Sequence, residues 1–258
     1  MSERPEVWNG CRHDGELTVL VVGFEAARGE ARLADLAEHF GPSHFLVSQP
    51  ARLAAPIEAA GTYLDKLSDA LGKAITTVDA VIGYCAGAPL AAGLAARLAD
   101  GARRPFLAVI DPEVVDERTI VNEYLAALAS LGARSEDATP GAGASMRVER
   151  VGALACSLAA GYRRAAETAA EQVGLGAAFV DQLTTRWNRY LAYLVAAAHA
   201  GNSLDAADLV LVSADYPGVA GPAAEGNCRR FDAPGSRLLA DPELAVVLRQ
   251  ALAPASKG

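Results

Sequence analysis

The chain has 258 residues, of which 52% are hydrophobic and 21% charged, enough apolar material for one large core. With 23 Lys and Arg against 31 Asp and Glu, its formal net charge of −8 argues against a nucleic-acid or anionic-membrane surface. The four cysteines, Cys11, Cys85, Cys156 and Cys228, form no C-x-x-C pair and histidine is equally sparse, so neither a zinc site nor a disulfide framework is suggested.

The opening MSERPEVWNGCRHDGE lacks a signal-peptide core, and the longest apolar helical run, around Leu191 to Val195, is too short to span a bilayer. A cytoplasmic, reducing setting is expected, with no nucleic-acid partner, no membrane and no bound metal. A thiol stays free for chemistry there.

In chain order, Leu17 to Gly23 is a continuous β-branched run ended by glycine, the pattern of a buried parallel strand. Glu30 to Phe40 places Leu33, Leu36, Ala37 and Phe40 on one helical face. His44 to Val47 predicts a short strand and Gly61 to Leu71 a helix. Val78 to Gly83 is another buried strand, and Ala86 to Leu98 a helix with Pro89 in its first turn. Pro105 to Ile110 follows as a strand ended by Asp111.

This β-α alternation predicts a parallel sheet with helices on both faces. It breaks between residue 114 and about 200, where helical segments follow one another around a Gly/Ala/Pro/Ser stretch near 136–146. A strand at Leu209 to Ser213, a weak one at Arg229 to Phe231 and a closing helix at Pro242 to Leu252 complete the pattern. One α/β domain over residues 1–258 with a helical lid insertion is the expected organisation.

Gly83-Tyr84-Cys85-Ala86-Gly87 lies between a strong strand and a strong helix. A G-x-nucleophile-x-G turn holds its central residue in a strained conformation at the strand's C-terminal edge. The helix N-terminus behind it favours a thiolate, the Ala86 N–H is placed to bind an oxyanion, and a second N–H could come from Phe24 or Glu25. Burial of a small cysteine after a strand is the plainer alternative.

The run V-I-G-Y-C-A-G-A-P-L-A, followed by an Asp-ended strand, resembles the α/β-hydrolase thioesterases of nonribosomal peptide and polyketide synthases. The resemblance spans most of the chain, is strongest over residues 17–111 and is weak in the insertion. Those enzymes usually have serine at the elbow and sometimes cysteine. The cysteine elbow is also similar to that of acyltransferases shuttling aminoacyl groups between carrier proteins, which implies a cysteine-nucleophile variant.

The resemblance implies Asp111 as the triad acid, with Asp215 in the position used by many stand-alone relatives. It implies Tyr84 beside the nucleophile as a possible substrate contact. No bound cofactor is implied; the acyl donor would be a phosphopantetheine thioester on an acyl or peptidyl carrier protein, or a coenzyme A thioester.

The family's base is a histidine in a G-x-H segment before the last helix. Here the segment is Pro234-Gly235-Ser236-Arg237, with Arg237 at the expected place. Arginine stays protonated and cannot act as a base, although it could contact substrate. His13, His39, His44 and His199 all fall in unsuitable positions. A cysteine needs less help than a serine, since about 3% of a free thiol is ionised at pH 7, and thioester exchange requires no activated water. The expectation is transfer of an acyl group through Cys85 to a thiol, amine or hydroxyl. Hydrolysis, cyclisation on the same acyl-enzyme and a non-catalytic acyl-binding descendant are the alternatives.

In the insertion, Met146, Val151, Leu154, Leu158, Tyr162, Trp187, Tyr190, Leu191 and Leu194 suit either an acyl channel or ordinary helix packing. Arg147, Arg150, Arg163 and Arg164 could form a basic patch for an acidic carrier protein, or a solvated face with Glu149, Glu167 and Glu171. Cys156 is expected to be packed in a helix interior.

Overall fold

Runs of β-branched and aliphatic residues form the sheet, and the computed structural model describes them within residues 7–13, 15–24, 32–53, 60–72, 75, 77–100, 103–133, 148–201, 205–217 and 227–253. Seven strands make it up: β1 (Trp8–His13), β2 (Thr18–Val22), β3 (His44–Ser48), β4 (Ala80–Tyr84), β5 (Phe106–Ile110), β6 (Leu209–Val212) and β7 (Cys228–Arg230). Their spatial order is β1-β3-β2-β4-β5-β6-β7, and every pairing is parallel except that of β1 with β3.

The chain divides into two compact units. The first contains residues 1–49, 64–113 and 203–258 and holds the sheet. Alternation along the strands gives it two buried faces. Val19, Val21, Phe45, Val47, Ile82 and Ile110 pack against α1 (Leu33–Phe40), α7 (Gly235–Leu238) and α8 (Pro242–Leu252). On the other face, α3 (Ala88–Arg97) lies along β4 and β5, with Leu90, Ala91 and Leu94 fully buried. Asp241 caps α8 by accepting the Glu243 N–H, and Pro242 follows at the first helical position.

The second unit, residues 50–63 and 114–202, is helical. It contains α4 (Glu117–Ser130), α5 (Val148–Gln172), α6 (Ala177–Ala200) and the first turn of α2 (Ala60–Asp69). Tyr162 stacks on Trp187 with ring centroids 5.1 Å apart, and Tyr190 stacks on Tyr193 at 6.3 Å. Val151, Leu158, Tyr162, Trp187, Leu191 and Leu194 are buried, while Leu154 and Tyr190 are partly so. Cys156 is exposed rather than packed; it points away from the face that buries Ala155 and Leu158. Arg163 pairs with Glu167 and Asp181, each at 3.0 Å, so this arginine lies in a solvated ion-pair network. Met146 and Arg147, the 136–146 stretch and the side chains of Glu149 and Arg150 fall outside the described residues.

Two elements differ from the sequence reading. WNGCRH, a polar segment, forms the edge strand β1 against β3, with a register shift between Gly10 and Arg12, a position where polar residues and bulges are tolerated. His13 therefore ends a strand instead of preceding the first one. Gly235 to Leu238 forms a helical turn that periodicity is too short to reveal.

Candidate active site

The chain reverses direction across the sheet at β2, with β3 on one side and β4 on the other. Ligands of open parallel sheets bind beyond the strand C-termini at such a point. Gly23 and Phe24 follow β2 there, and Cys85 follows β4, because Val22 pairs with Gly83. Tyr84 pairs with Ile110, which brings Asp111 to the same edge.

Cys85 has φ 51° and Asp111 has φ 41°, and among the described residues these alone are non-glycine residues with positive φ. A side chain in this region costs about 1–3 kcal/mol and persists where the surroundings enforce it. At Cys85 the surroundings are an abrupt passage from β4 through a 3-10 turn, Cys85–Gly87, into α3. Gly83 permits it: a Cβ there would lie 2.6 Å from the Ala88 Cα and 2.8 Å from the Ala91 Cβ. Strand and helix touch backbone to backbone at this point.

The Cys85 thiol donates to Glu113 Oε2, with Sγ and oxygen 3.0 Å apart. The Glu113 N–H in turn donates to the Cys85 carbonyl at 3.2 Å. Sequence reasoning missed Glu113. It is two residues past Asp111 in a loop with no periodicity, and only the Cys85 backbone contact brings it back to the thiol. No histidine takes this place among the described residues. His39 and His44 lie at the end of α1 and the start of β3, on the opposite edge of the sheet, and the His13 side chain falls outside the description. His199 ends α6, in the helical unit.

Burial raises the Cys85 thiol pKa well above its ordinary value. The charge and hydrogen bond of Glu113 push the same way, the Ala86 N–H opposes them, and the charge of Asp111 raises it further. Burial and Glu113 thus oppose the helix start's preference for a thiolate, and the thiol's hydrogen bond goes to a carboxylate. Ala86 is buried, and its backbone N–H is directed at the Cys85 sulfur. Phe24 is partly buried directly after Gly23, and Glu25 is outside the described residues. Tyr84 is partly buried against the apolar cluster under α1 and α8.

Asp111 Oδ1 accepts the Ser213 N–H at 2.7 Å. Burial raises its pKa; the Ser213 N–H and hydroxyl lower it, the charge of Asp215 raises it and that of Arg230 lowers it. Asp215 is exposed and accepts the Gly235 N–H at 2.7 Å. That bond lowers its pKa, so Asp215 caps a turn.

The Tyr216 hydroxyl donates to the Pro112 carbonyl at 2.6 Å, between Asp111 and Glu113. Arg230 Nη1 donates to the Ser213 carbonyl at 2.7 Å. Arg237 is exposed on α7; the residue of its segment that lies against Asp111 is Gly235, where a Cβ would sit 3.3 Å from Oδ2.

No protein-family model matches the sequence, and no curated protein matches it. Solved structures do match. A structure from work on carboxylesterases of the ammonia-oxidising thaumarchaeon Nitrososphaera gargenis superposes with a TM-score of 0.53 over 95% of this chain and 92% of its own, at 10% identity. The fold is that of the α/β hydrolases. The Vlm2 thioesterase domain bound with a dodecadepsipeptide matches at TM-score 0.49 and 16% identity, over 95% and 98% of the two chains. An alpha/beta hydrolase from Sphaerobacter thermophilus matches at 0.47 and 20%, over 95% of each. Within this fold, Cys85 occupies the sharp turn between β4 and α3, Asp111 follows β5 and Glu113 takes the hydrogen bond from the thiol.

Such a set can perform covalent acyl chemistry. A partly buried thiol with a carboxylate acceptor has a defined destination for its proton, which nucleophilic chemistry requires. Among the described residues no group of His, Cys, Asp and Glu has the arrangement of a metal site, and no helix is long and apolar enough to cross a membrane.

Proposed function

We propose that the protein is a thioesterase-like acyltransferase that carries an acyl or aminoacyl group on Cys85. The observation supporting this reading is the 3.0 Å hydrogen bond from the Cys85 thiol to Glu113, at a strained elbow that has no histidine partner among the described residues. A thioester, tethered to an acyl or peptidyl carrier protein or to coenzyme A, places its carbonyl carbon against Sγ. The S–H bond breaks toward Glu113 as the new S–C bond forms, and the Ala86 N–H, with a second donor near Phe24, holds the oxyanion. Collapse expels the donor thiolate, which recovers the proton from Glu113. An incoming thiol, amine or hydroxyl repeats these steps in reverse, and Glu113 takes its proton.

Asp111 fixes the loop that carries Glu113, through its bond to Ser213, and its charge lies close to the thiol. The acyl groups proposed are those of secondary metabolism, handled in the cytoplasm. A second reading, hydrolysis, rests on the same carboxylate: once Cys85 is acylated, Glu113 is free to take a proton from water.

Incubation with an acyl N-acetylcysteamine thioester, followed by intact-mass measurement, tests both. Transfer predicts a Cys85 adduct that survives in buffer and is discharged by an added thiol. Hydrolysis predicts free acid accumulating without an acceptor. An unmodified protein and an untouched thioester would overturn both.

A further inference from the structure

Several of the described glycines are fixed by crowding or by a positive φ; Gly235, like Gly152 and Gly176, shows neither cause. Gly83 is required by space, since a Cβ would strike Ala88 backbone at 2.6 Å. Gly41, Gly72, Gly132, Gly174 and Gly201 have positive φ. Gly235 has no left-handed backbone, and the three atoms nearest to a Cβ there would be side-chain oxygens: Asp111 Oδ2 at 3.3 Å, Ser213 Oγ at 3.5 Å and Asp215 Oδ1 at 3.6 Å. The nearest contact needs a shift of a few tenths of an ångström. The fold therefore does not demand glycine, and the spot that a side chain would occupy faces the carboxylate beside the nucleophile.

A catalytic base in a triad has just this relation to its acid: its side chain leaves the backbone next to a carboxylate that orients it, and its far nitrogen reaches the nucleophile. Asp111 lies against Gly235, and it follows Ile110, which pairs with Tyr84, the residue before Cys85. Arg237, two residues further along a helical turn, points about 200° away at 100° per residue and is exposed.

We propose that position 235 is the vacant seat of the base, and that glycine there selects transfer over hydrolysis by denying the acyl-enzyme an imidazole to activate water. The proposal rests on the reading that Cys85 becomes acylated. With a histidine at 235, water would lose its proton to the imidazole as its oxygen bonds to the acyl carbon. The C–S bond would then break, and the proton would return to Cys85 sulfur, leaving free acid and free thiol.

The test loads Cys85 from an acyl N-acetylcysteamine thioester in the wild type, Gly235→Ala and Gly235→His, removes the donor and follows loss of the adduct by intact mass without acceptor. Wild type and Gly235→Ala should lose it at rates within about twofold. Gly235→His should lose it at least tenfold faster, the gain growing as pH rises through about 6–7, where an imidazole gives up its proton. A Gly235→His adduct that forms and decays at the wild-type rate from pH 5 to 8 would overturn the proposal, as would equal acceleration by alanine. Should Gly235→His not fold, free imidazole added to the acylated wild type should accelerate loss saturably, and Gly235→Val should abolish that effect. A linear dependence indifferent to Gly235→Val overturns the proposal. Failure of the wild type to form any adduct removes the reading of Cys85 itself, and the proposal with it.

Discussion

Cys85 and Glu113 meet twice: the thiol donates to the carboxylate across 3.0 Å, and the Glu113 N–H donates to the Cys85 carbonyl at 3.2 Å. The pair both restrains the thiol at rest and gives its proton a destination. Glu113→Gln separates these effects. Losing the charge lowers the thiol pKa, because Glu113 raises it, so alkylation by iodoacetamide at pH 7 should speed up. Losing the base should slow acylation by a thioester about 10²-fold or more. Opposite movements of the two rates support the assignment; a parallel fall would contradict it.

The thiol's raised pKa also sets a pH dependence. A group whose folded pKa lies above its unfolded value of about 8.5 stabilises the fold fully below that value and loses the contribution as pH rises through the folded one. Thermal stability of the wild type should therefore drop relative to Cys85→Ala above about pH 8.5. Parallel curves from pH 7 to 10 would show that burial and Glu113 do not hold the proton on sulfur.

Gly83→Ala forces a Cβ to 2.6 Å from the Ala88 Cα. Backbone cannot yield as a flexible side chain does, so the substitution should destabilise by about 1–3 kcal/mol and lower the melting temperature by several degrees. A melting temperature within a degree of wild type would show that β4 and α3 are less closely apposed.

The 111–113 loop is tied down by Tyr216, whose hydroxyl reaches the Pro112 carbonyl at 2.6 Å, while Arg230 holds the Ser213 carbonyl. Tyr216→Phe should cost about 1 kcal/mol in stability and, by letting Glu113 drift, slow acylation about tenfold. Its iodoacetamide pH profile should shift toward that of Glu113→Gln. A stability loss with unchanged acylation and profile would make Tyr216 structural only.

What was legible in the sequence followed from strong local signals. LTVLVVG and VDAVIG are strands because buried parallel strands are apolar throughout, and the helix at Pro242–Leu252 matches its predicted bounds through the Asp241 cap. The elbow was readable because its glycines and flanking elements are contiguous. Glu113 was not, since its place depends on a loop folding back onto Cys85. Counting along the sequence puts Arg237 where the resembling family has its histidine; that Gly235 of the same short helix is the residue against Asp111 depends on the turn's geometry, which the sequence does not show. β1 escaped notice because an edge strand need not be apolar.

The most direct test of the central claim is intact-mass analysis of the protein exposed to an acyl thioester, with Cys85→Ala alongside. A single acyl addition on Cys85, absent in the variant, stable in buffer and passed on to an added thiol, is the predicted result. Thioester turnover that persists in Cys85→Ala, or a wild-type protein that never gains the acyl mass, would contradict the account.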